Sequence, residues 1–256
     1  MFDHKSGAYL QTEDAKLYYE TQGNPDNPPL LFLHGGLRHM VTLNPLAQSL
    51  AKDFYLIGLD SRGQGKSGLG DNPLTYQMME EDTLALLSHL NINKVTIIGH
   101  SDGGIIAYRM AARHRERVAH LITIGSRVTA EQGKPNWEEF MCLEPKLMEK
   151  NMPELVKDYH RLSPDPRLDQ LCVMFRDLWM DGSDCGHPGE AVRSIVAPSL
   201  LLRGSEDGFL SAVALQDNQM MISNSVMTEI PDAKHDVALE NPEHTNSVIR
   251  NFLSTQ

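Results

Sequence analysis

Five short runs constrain this chain more than anything else in it: Leu30–Leu33, Tyr55–Leu59, Val95–Ile98, Leu121–Ile124 and Ser199–Leu202. Each is too short for a stable helix and almost wholly apolar, so a strand formed there must be covered on both faces. Val226–Ile230 is a weaker run, and Tyr9–Thr12 with Leu17–Thr21 reads as an opening β-hairpin. Between the runs the pattern turns helical, over roughly 44–51, 75–90, 102–114, 210–222 and 241–253. Strands and helices in this alternation predict an α/β fold, with about eight mostly parallel strands flanked by helices.

One region breaks the rhythm. Residues 127–192 contain no strand pattern. Trp137–Lys150, Met152–Arg161 and Leu168–Met180 read as helices, punctuated by Pro145, Pro153, Pro164 and Pro166. The segment is expected to be a helical insertion over the sheet, with residues 1–126 and 193–256 forming the core.

Composition narrows the function classes. A chain of 256 residues with 41% hydrophobic content suits one large domain. No apolar run approaches the ~20 residues that span a bilayer. The opening MFDHKSGAYL lacks a basic start followed by an apolar block, so no signal peptide is expected and the cytoplasm is the expected location. Cys142, Cys172 and Cys185 are widely spaced with no C-x-x-C pair, which argues against a disulfide framework or thiolate zinc site. The formal net charge of −11 argues against nucleic acid or an anionic membrane as partner. A small-molecule substrate is expected, with no metal or cofactor.

The sequence VTIIGHSDGGIIAY, Val95 to Tyr108, carries the chemistry. Within it, Gly99-His100-Ser101-Asp102-Gly103 fits G-x-S-x-G between a predicted strand and a predicted helix. A sharp strand-to-helix turn strains the serine backbone and needs small neighbours two residues away. The turn lifts the serine hydroxyl above the sheet, and the helix N-terminus offers free N–H groups for a developing oxyanion. A serine hydroxyl is a poor nucleophile at neutral pH and needs a base, which in turn needs an orienting acid. Loops after later strands supply both: Asp207 in Arg203-Gly204-Ser205-Glu206-Asp207 as acid, and His235 in Pro231-Asp232-Ala233-Lys234-His235 as base.

Gly63-Gln64-Gly65-Lys66-Ser67-Gly68 satisfies G-x-G-x-x-G, the dinucleotide fingerprint. That reading requires a helix to open at once, whereas Leu69-Gly70-Asp71-Asn72-Pro73 continues the loop. A Walker A reading requires glycine where Asp60 stands.

Taken together, these motifs resemble the α/β-hydrolase superfamily over nearly the full chain. His34-Gly35-Gly36 is similar to its oxyanion loop, and Asp60 to Ser67 to its D-x-R-G-x-G-x-S loop. Gly99–Gly103 is similar to its nucleophile elbow, and the order Ser101, Asp207, His235 to its triad. Glu240 and Pro242 after His235 fit the histidine loop entering the last helix. The resemblance implies that residues 127–192 are the variable cap and that backbone N–H groups of Gly36 and Asp102 hold the oxyanion. It also implies that serine at the elbow, rather than the aspartate of haloalkane dehalogenases and epoxide hydrolases, favours acyl chemistry. The expected activity is hydrolysis of small carboxylic esters. A carbon–carbon bond hydrolase or lactonase is the enzymatic alternative, and a ligand receptor or scaffold on the same fold the non-enzymatic one.

Other residues receive lesser roles. Glu206 is expected to be a solvated loop carboxylate, His100 a packing residue, His34 an organiser of the oxyanion loop, and His244 exposed. The acid position that some superfamily members use after the sixth strand holds Gly125-Ser126 here. The Met- and aromatic-rich insertion suits an apolar substrate group, with Trp137, Phe140 and Trp179 as candidate contacts, although plain core packing of the helices explains most such residues. Asp102 has two readings: a carboxylate favoured by the helix dipole, or a contact for a substrate ammonium.

Overall fold

A computed structural model describes residues 1–255. Eight strands form one sheet: β1 (Ala8–Gln11), β2 (Lys16–Gln22), β3 (Pro29–Leu33), β4 (Tyr55–Leu59), β5 (Val95–His100), β6 (Val118–Ile124), β7 (Ser199–Gly204) and β8 (Ser225–Ile230). Their order across the sheet is β1-β2-β4-β3-β5-β6-β7-β8. The first two pairings are antiparallel and the rest parallel. The expected mostly parallel α/β sheet is therefore present.

The side-chain alternation of the strands divides the core in two. Leu31 and Leu33 of β3 join Ile57, Ile97, Leu121 and Leu201 on one face. Leu30 and Phe32 join Leu56, Ile98, Ile122 and Leu202 on the other. Helices α1 (Asn44–Leu50), α2 (Tyr76–His89) and α3 (Asp102–Arg113) follow the first strands. Thr75 ends the approach to α2 by accepting a hydrogen bond from the Met78 N–H, satisfying one of the donors a helix start leaves free. Arg109 of α3 donates to Glu80 of α2 at 2.8 Å, both buried, which pairs the two helices. Leu46, Ala47 and Leu50 of α1 pack on the opposite face of the sheet.

Between β6 and β7 lie α4 (Trp137–Met141), α5 (Pro145–Asn151), α6 (Pro153–Leu162) and α7 (Leu168–Met180). The expected single helix over Trp137–Lys150 is two helices, because Glu144 precedes Pro145. A residue before proline is pushed out of the helical region, and Glu144 is extended at φ −146°, ψ 155°. Pro145 then opens α5 and Pro153 opens α6, where a missing N–H costs nothing. After β7 come α8 (Ala212–Met221), α9 (Val237–Glu240) and α10 (Pro242–Ser254). Among the described residues, no helix is long and apolar enough to cross a membrane.

The sheet order fixes where a site can form. From β3 the chain moves outward to β4, then crosses back to β5 on the other side. Loops leaving the C-terminal ends of β3 and β5 thus diverge and leave a crevice between them. His34-Gly35-Gly36 leaves one of these ends and Ser101 the other.

Candidate active site

Ser101 joins β5 to α3 at φ 52° and ψ −117°, a region that side chains other than glycine rarely enter. Its N–H donates to the Ile124 carbonyl at 2.7 Å, and its carbonyl accepts from the Gly104 N–H at 2.9 Å. Both bonds pin the turn from below. A Cβ at Gly99 would lie 2.4 Å from the Gly103 carbonyl oxygen, and one at Gly103 would lie 2.2 Å from the Leu33 carbonyl oxygen. These contacts are with backbone, so no side-chain adjustment relieves them. Asp102 is the first residue of α3, and its N–H belongs to the first turn, which has no intrahelical acceptors.

Asp207 and His235 come from loops after β7 and β8. His235 Nδ1 lies 3.0 Å from both carboxylate oxygens of Asp207. Asp207 is buried, and its Oδ1 also accepts the N–H groups of Phe209 at 2.8 Å and Leu210 at 3.1 Å. Burial opposes its ionisation, but the His235 hydrogen bond and charge and these two N–H groups outweigh it, holding its pKa below the ordinary value. An ionised Asp207 keeps the imidazole proton on Nδ1 and leaves Nε2 as the free lone pair. Arg203 stiffens this loop from beneath by donating to the carbonyls of Leu210 at 2.8 Å and Asp207 at 3.2 Å. Gly125, with φ +62°, has the space of its missing side chain filled: a Cβ there would lie 2.9 Å from the His235 ring and 3.0 Å from Asp207. Glu206, the residue before Asp207, is exposed.

The histidines around the site hold backbone. His34 Nε2 accepts the Ser61 N–H at 2.9 Å, so its Nδ1 carries the proton and donates to the Gly35 carbonyl at 2.8 Å. This ties the Gly35-Gly36 turn to the Asp60 loop. His100 Nε2 donates to the His235 carbonyl at 2.9 Å. Burial lowers the pKa of each to about 4, so both are neutral near pH 7. His244 is exposed on α10. The loop from Asp60 to Ser67 wraps a buried carboxylate: Asp60 accepts from the N–H groups of Met40 at 2.9 Å and Lys66 at 2.8 Å, and contacts His4 at 2.8 Å. Its glycines thus serve a folded turn, and no helix begins until Tyr76.

Ser101, His235 and Gly36 line one cavity of about 190 Å³, whose lining is mainly apolar. Phe140 and Trp179 line it too, with ring centroids 4.9 Å apart, and Phe209 meets the His235 ring edge-on at 4.9 Å. Trp137 does not line it. It opens α4, one turn before Phe140 and so about 4.5 Å lower along the axis, with its ring under the Lys134 ammonium at 5.6 Å.

Asp102 stands in the first turn of α3, as the helix-dipole reading expects, but its carboxylate is enclosed by protein donors. Its side chain is only 2% exposed and is held between two elements. Tyr76 of α2 donates to it at 2.9 Å and the Trp179 indole of α7 at 3.0 Å. The carboxylate also backs the Gly36 turn, since a Cβ on Gly36 would lie within 2.4 Å of Oδ2. Burial pushes its pKa up, against the Trp179 and Tyr76 hydrogen bonds and the Arg127 charge. Its oxygens are thus committed to protein donors, and the ammonium site expected there is not supported. The residue that sequence reasoning passed over is Arg127, a cation lining the same cavity. Its signal was positional: it stands just past the C-terminal end of β6, where loops face the crevice. Among the described residues, no group of three or more His, Cys, Asp or Glu side chains is arranged to hold a metal.

Comparison with known proteins agrees with this fold. A family model of the alpha/beta hydrolase fold matches residues 28–162. The chain is similar to the AB hydrolase superfamily protein YisY of Bacillus subtilis, at 27% identity over 97% of this chain and all of the other. It is similar to epoxide hydrolase 3 of Xenopus tropicalis, at 22% identity over 98% of this chain and 78% of that one. A solved structure from a study of carboxylesterases of Nitrososphaera gargenis superposes with a TM-score of 0.77 at 24% identity, covering 97% of this chain and 98% of that one. With more than half of its length matched by the family model and a sheet of the corresponding architecture, the chain belongs to the α/β-hydrolase fold family.

Proposed function

We propose that this hydrolase cleaves small carboxylic esters through an acyl-enzyme, with Ser101 as nucleophile, His235 as base and Asp207 as orienting acid. The observation that carries the reading is His235, held at Nδ1 by Asp207 at 3.0 Å, lining one cavity with a serine held at φ 52°. In this reading His235 Nε2 takes the hydroxyl proton as Ser101 Oγ attacks the ester carbonyl carbon. Backbone N–H groups of Gly36 and Asp102 stabilise the oxyanion. The C–O bond then breaks, and His235 gives its proton to the departing alcohol. Water repeats the sequence on the acyl-enzyme, releasing the acid and restoring Ser101. Asp207 stabilises the imidazolium formed in each half.

Residues 127–192 act as a cap in this reading, contributing Phe140 and Trp179 to the substrate wall. A serine at the elbow supports acyl transfer over the epoxide chemistry named for one relative. The carboxylesterase study supports it more loosely, through the fold. A lactone is an internal ester, so the same groups would open one. The test is turnover of 4-nitrophenyl acetate and butyrate, with fluorophosphonate labelling of the wild type and Ser101→Ala. Turnover and single-site labelling, both lost in the variant, support the proposal. Labelling that persists in Ser101→Ala excludes Ser101 as nucleophile.

A further inference from the structure

Four arginines are buried among the described residues: Arg62, Arg109, Arg127 and Arg203. Three have carboxylate partners. Arg62 pairs with Asp14 and Asp82, Arg109 with Glu80, and Arg203 with Glu229. Arg127 is 7% exposed and has none, and its Nη1 lacks any hydrogen-bond partner. Its guanidinium carbon lies 5.2 Å from the Phe140 ring centroid. A cation–π contact of this kind recovers only part of what burial of a charge costs.

The position is also built around the guanidinium. A Cβ on Gly133 would fall 1.5 Å from Nη1, so the missing side chain there is what leaves room for it. The other charged groups on the cavity wall are occupied or exposed. Asp102 is bound by Tyr76 and Trp179, Arg38 pairs with Asp236 at 2.6 Å, and Glu139 is exposed on α4 with no ion pair to Arg127. The guanidinium in the cavity that holds Ser101 thus has no carboxylate within ion-pairing distance, although its charge reaches the buried Asp102. The fork of N–H donors matches a carboxylate in geometry and charge.

We propose that Arg127 receives a carboxylate carried by the substrate, so that the preferred substrates are small esters or lactones bearing a free carboxylate, such as monoesters of short dicarboxylic acids. The proposal rests on the ester-hydrolase reading for its chemistry, but not for binding. The cavity, about 190 Å³, lies below the usual range of about 300–1,000 Å³ for drug-sized ligands and suits short chains.

Two measurements test it. The first compares kcat/KM for 4-nitrophenyl monoesters of succinic, glutaric and adipic acid with that for the matching terminal carboxamides. The best anionic ester should exceed its neutral partner about ten- to a hundredfold, the range of a hydrogen-bonded charge pair. That ratio should collapse towards one in Arg127→Gln and fall in Gly133→Ala, which keeps the charge but displaces the guanidinium. Equal rates in the wild type, or a preference that survives Arg127→Gln, overturn the proposal. The second needs no turnover: calorimetric binding of succinate, glutarate and adipate to folded wild type and Arg127→Gln. Binding of one of them, weakened about tenfold or more in the variant, supports the site even if no ester is cleaved, in which case only the ester reading fails. No binding, or binding unchanged by the substitution, overturns the carboxylate site while leaving the ester reading intact.

Discussion

The two walls of the cavity are built in different ways. The sheet side is defined by backbone: Ser101 at an otherwise glycine-like φ, Gly125 pressed against His235 and Asp207, and the Gly35-Gly36 turn tied through His34 to Ser61. The helical side is defined by side chains reaching across long sequence separations: Trp179 to Asp102, and Arg127 over Phe140. Backbone geometry is set by a few consecutive residues and leaves a local motif. Side-chain contacts across 77 positions, as between Asp102 and Trp179, leave none. The sheet side carries the proposed chemistry and the helical side the proposed recognition, so the two should fail differently when altered.

The sharpest separation lies at the proposed nucleophile. Ser101→Ala should remove essentially all ester turnover, a loss on the order of 10⁶ in kcat where a serine nucleophile is deleted, with the urea midpoint unchanged or raised. Substantial residual turnover of 4-nitrophenyl butyrate would break the assignment of chemistry to this wall. Next comes Asp207→Asn, which keeps the shape but loses the charge that fixes the His235 tautomer. A fall of about 10³–10⁴ in kcat is expected, and near-normal rates would move the acid role elsewhere.

Smaller effects probe the seam between the walls. Trp179→Phe removes one donor to a buried carboxylate, and a hydrogen bond to a charged group is worth about 1.5–3 kcal/mol. Urea unfolding should register that loss, while fluorophosphonate labelling of Ser101 persists. If labelling vanished instead, the two walls would not be separable. The mildest test is acid. Burial lowers the pKa of His34 and His100 to about 4, and burial with the Arg127 charge lowers that of His187 to about 3, from 6.5 in each case. Below about pH 6.5 the unfolded chain takes up protons that the folded chain refuses, so stability rises with pH across this window. The urea midpoint should fall steadily from about pH 6.5 to 4, less steeply in His187→Gln. A flat profile would mean that these imidazoles are not held neutral.

The sequence made some of this legible. The strand runs predicted the parallel sheet because strands covered on both faces must be apolar throughout. Gly99-His100-Ser101-Asp102-Gly103 marked the turn, and the loops of Asp207 and His235 were located as strand ends. Pro145 should have divided the long expected helix, and does. The aromatic candidates could not be sorted: Trp137 and Phe140 stand three residues apart, and only the placement of α4 over the sheet decides that Phe140 reaches the cavity. The two readings of Asp102 could not be decided locally, because its partners Tyr76 and Trp179 lie on other helices. The charge proposed to recognise the substrate is therefore that of Arg127, opposite in sign to the ammonium contact considered at Asp102.

The strained backbone at Ser101 has a consequence for how this protein could change over time. A side chain held in a sparsely populated conformation costs on the order of 1–3 kcal/mol, and glycine accepts the same φ and ψ almost freely, losing back only part of that gain through its more flexible unfolded chain. On the proposed mechanism, a more durable form of this fold and the reactive one therefore differ by the Cβ and Oγ of a single residue. Selection for thermal endurance alone, in a laboratory library or a lineage that no longer needs the reaction, has a downhill route to glycine at position 101, and on the proposed mechanism continued demand for turnover is what holds the serine in place.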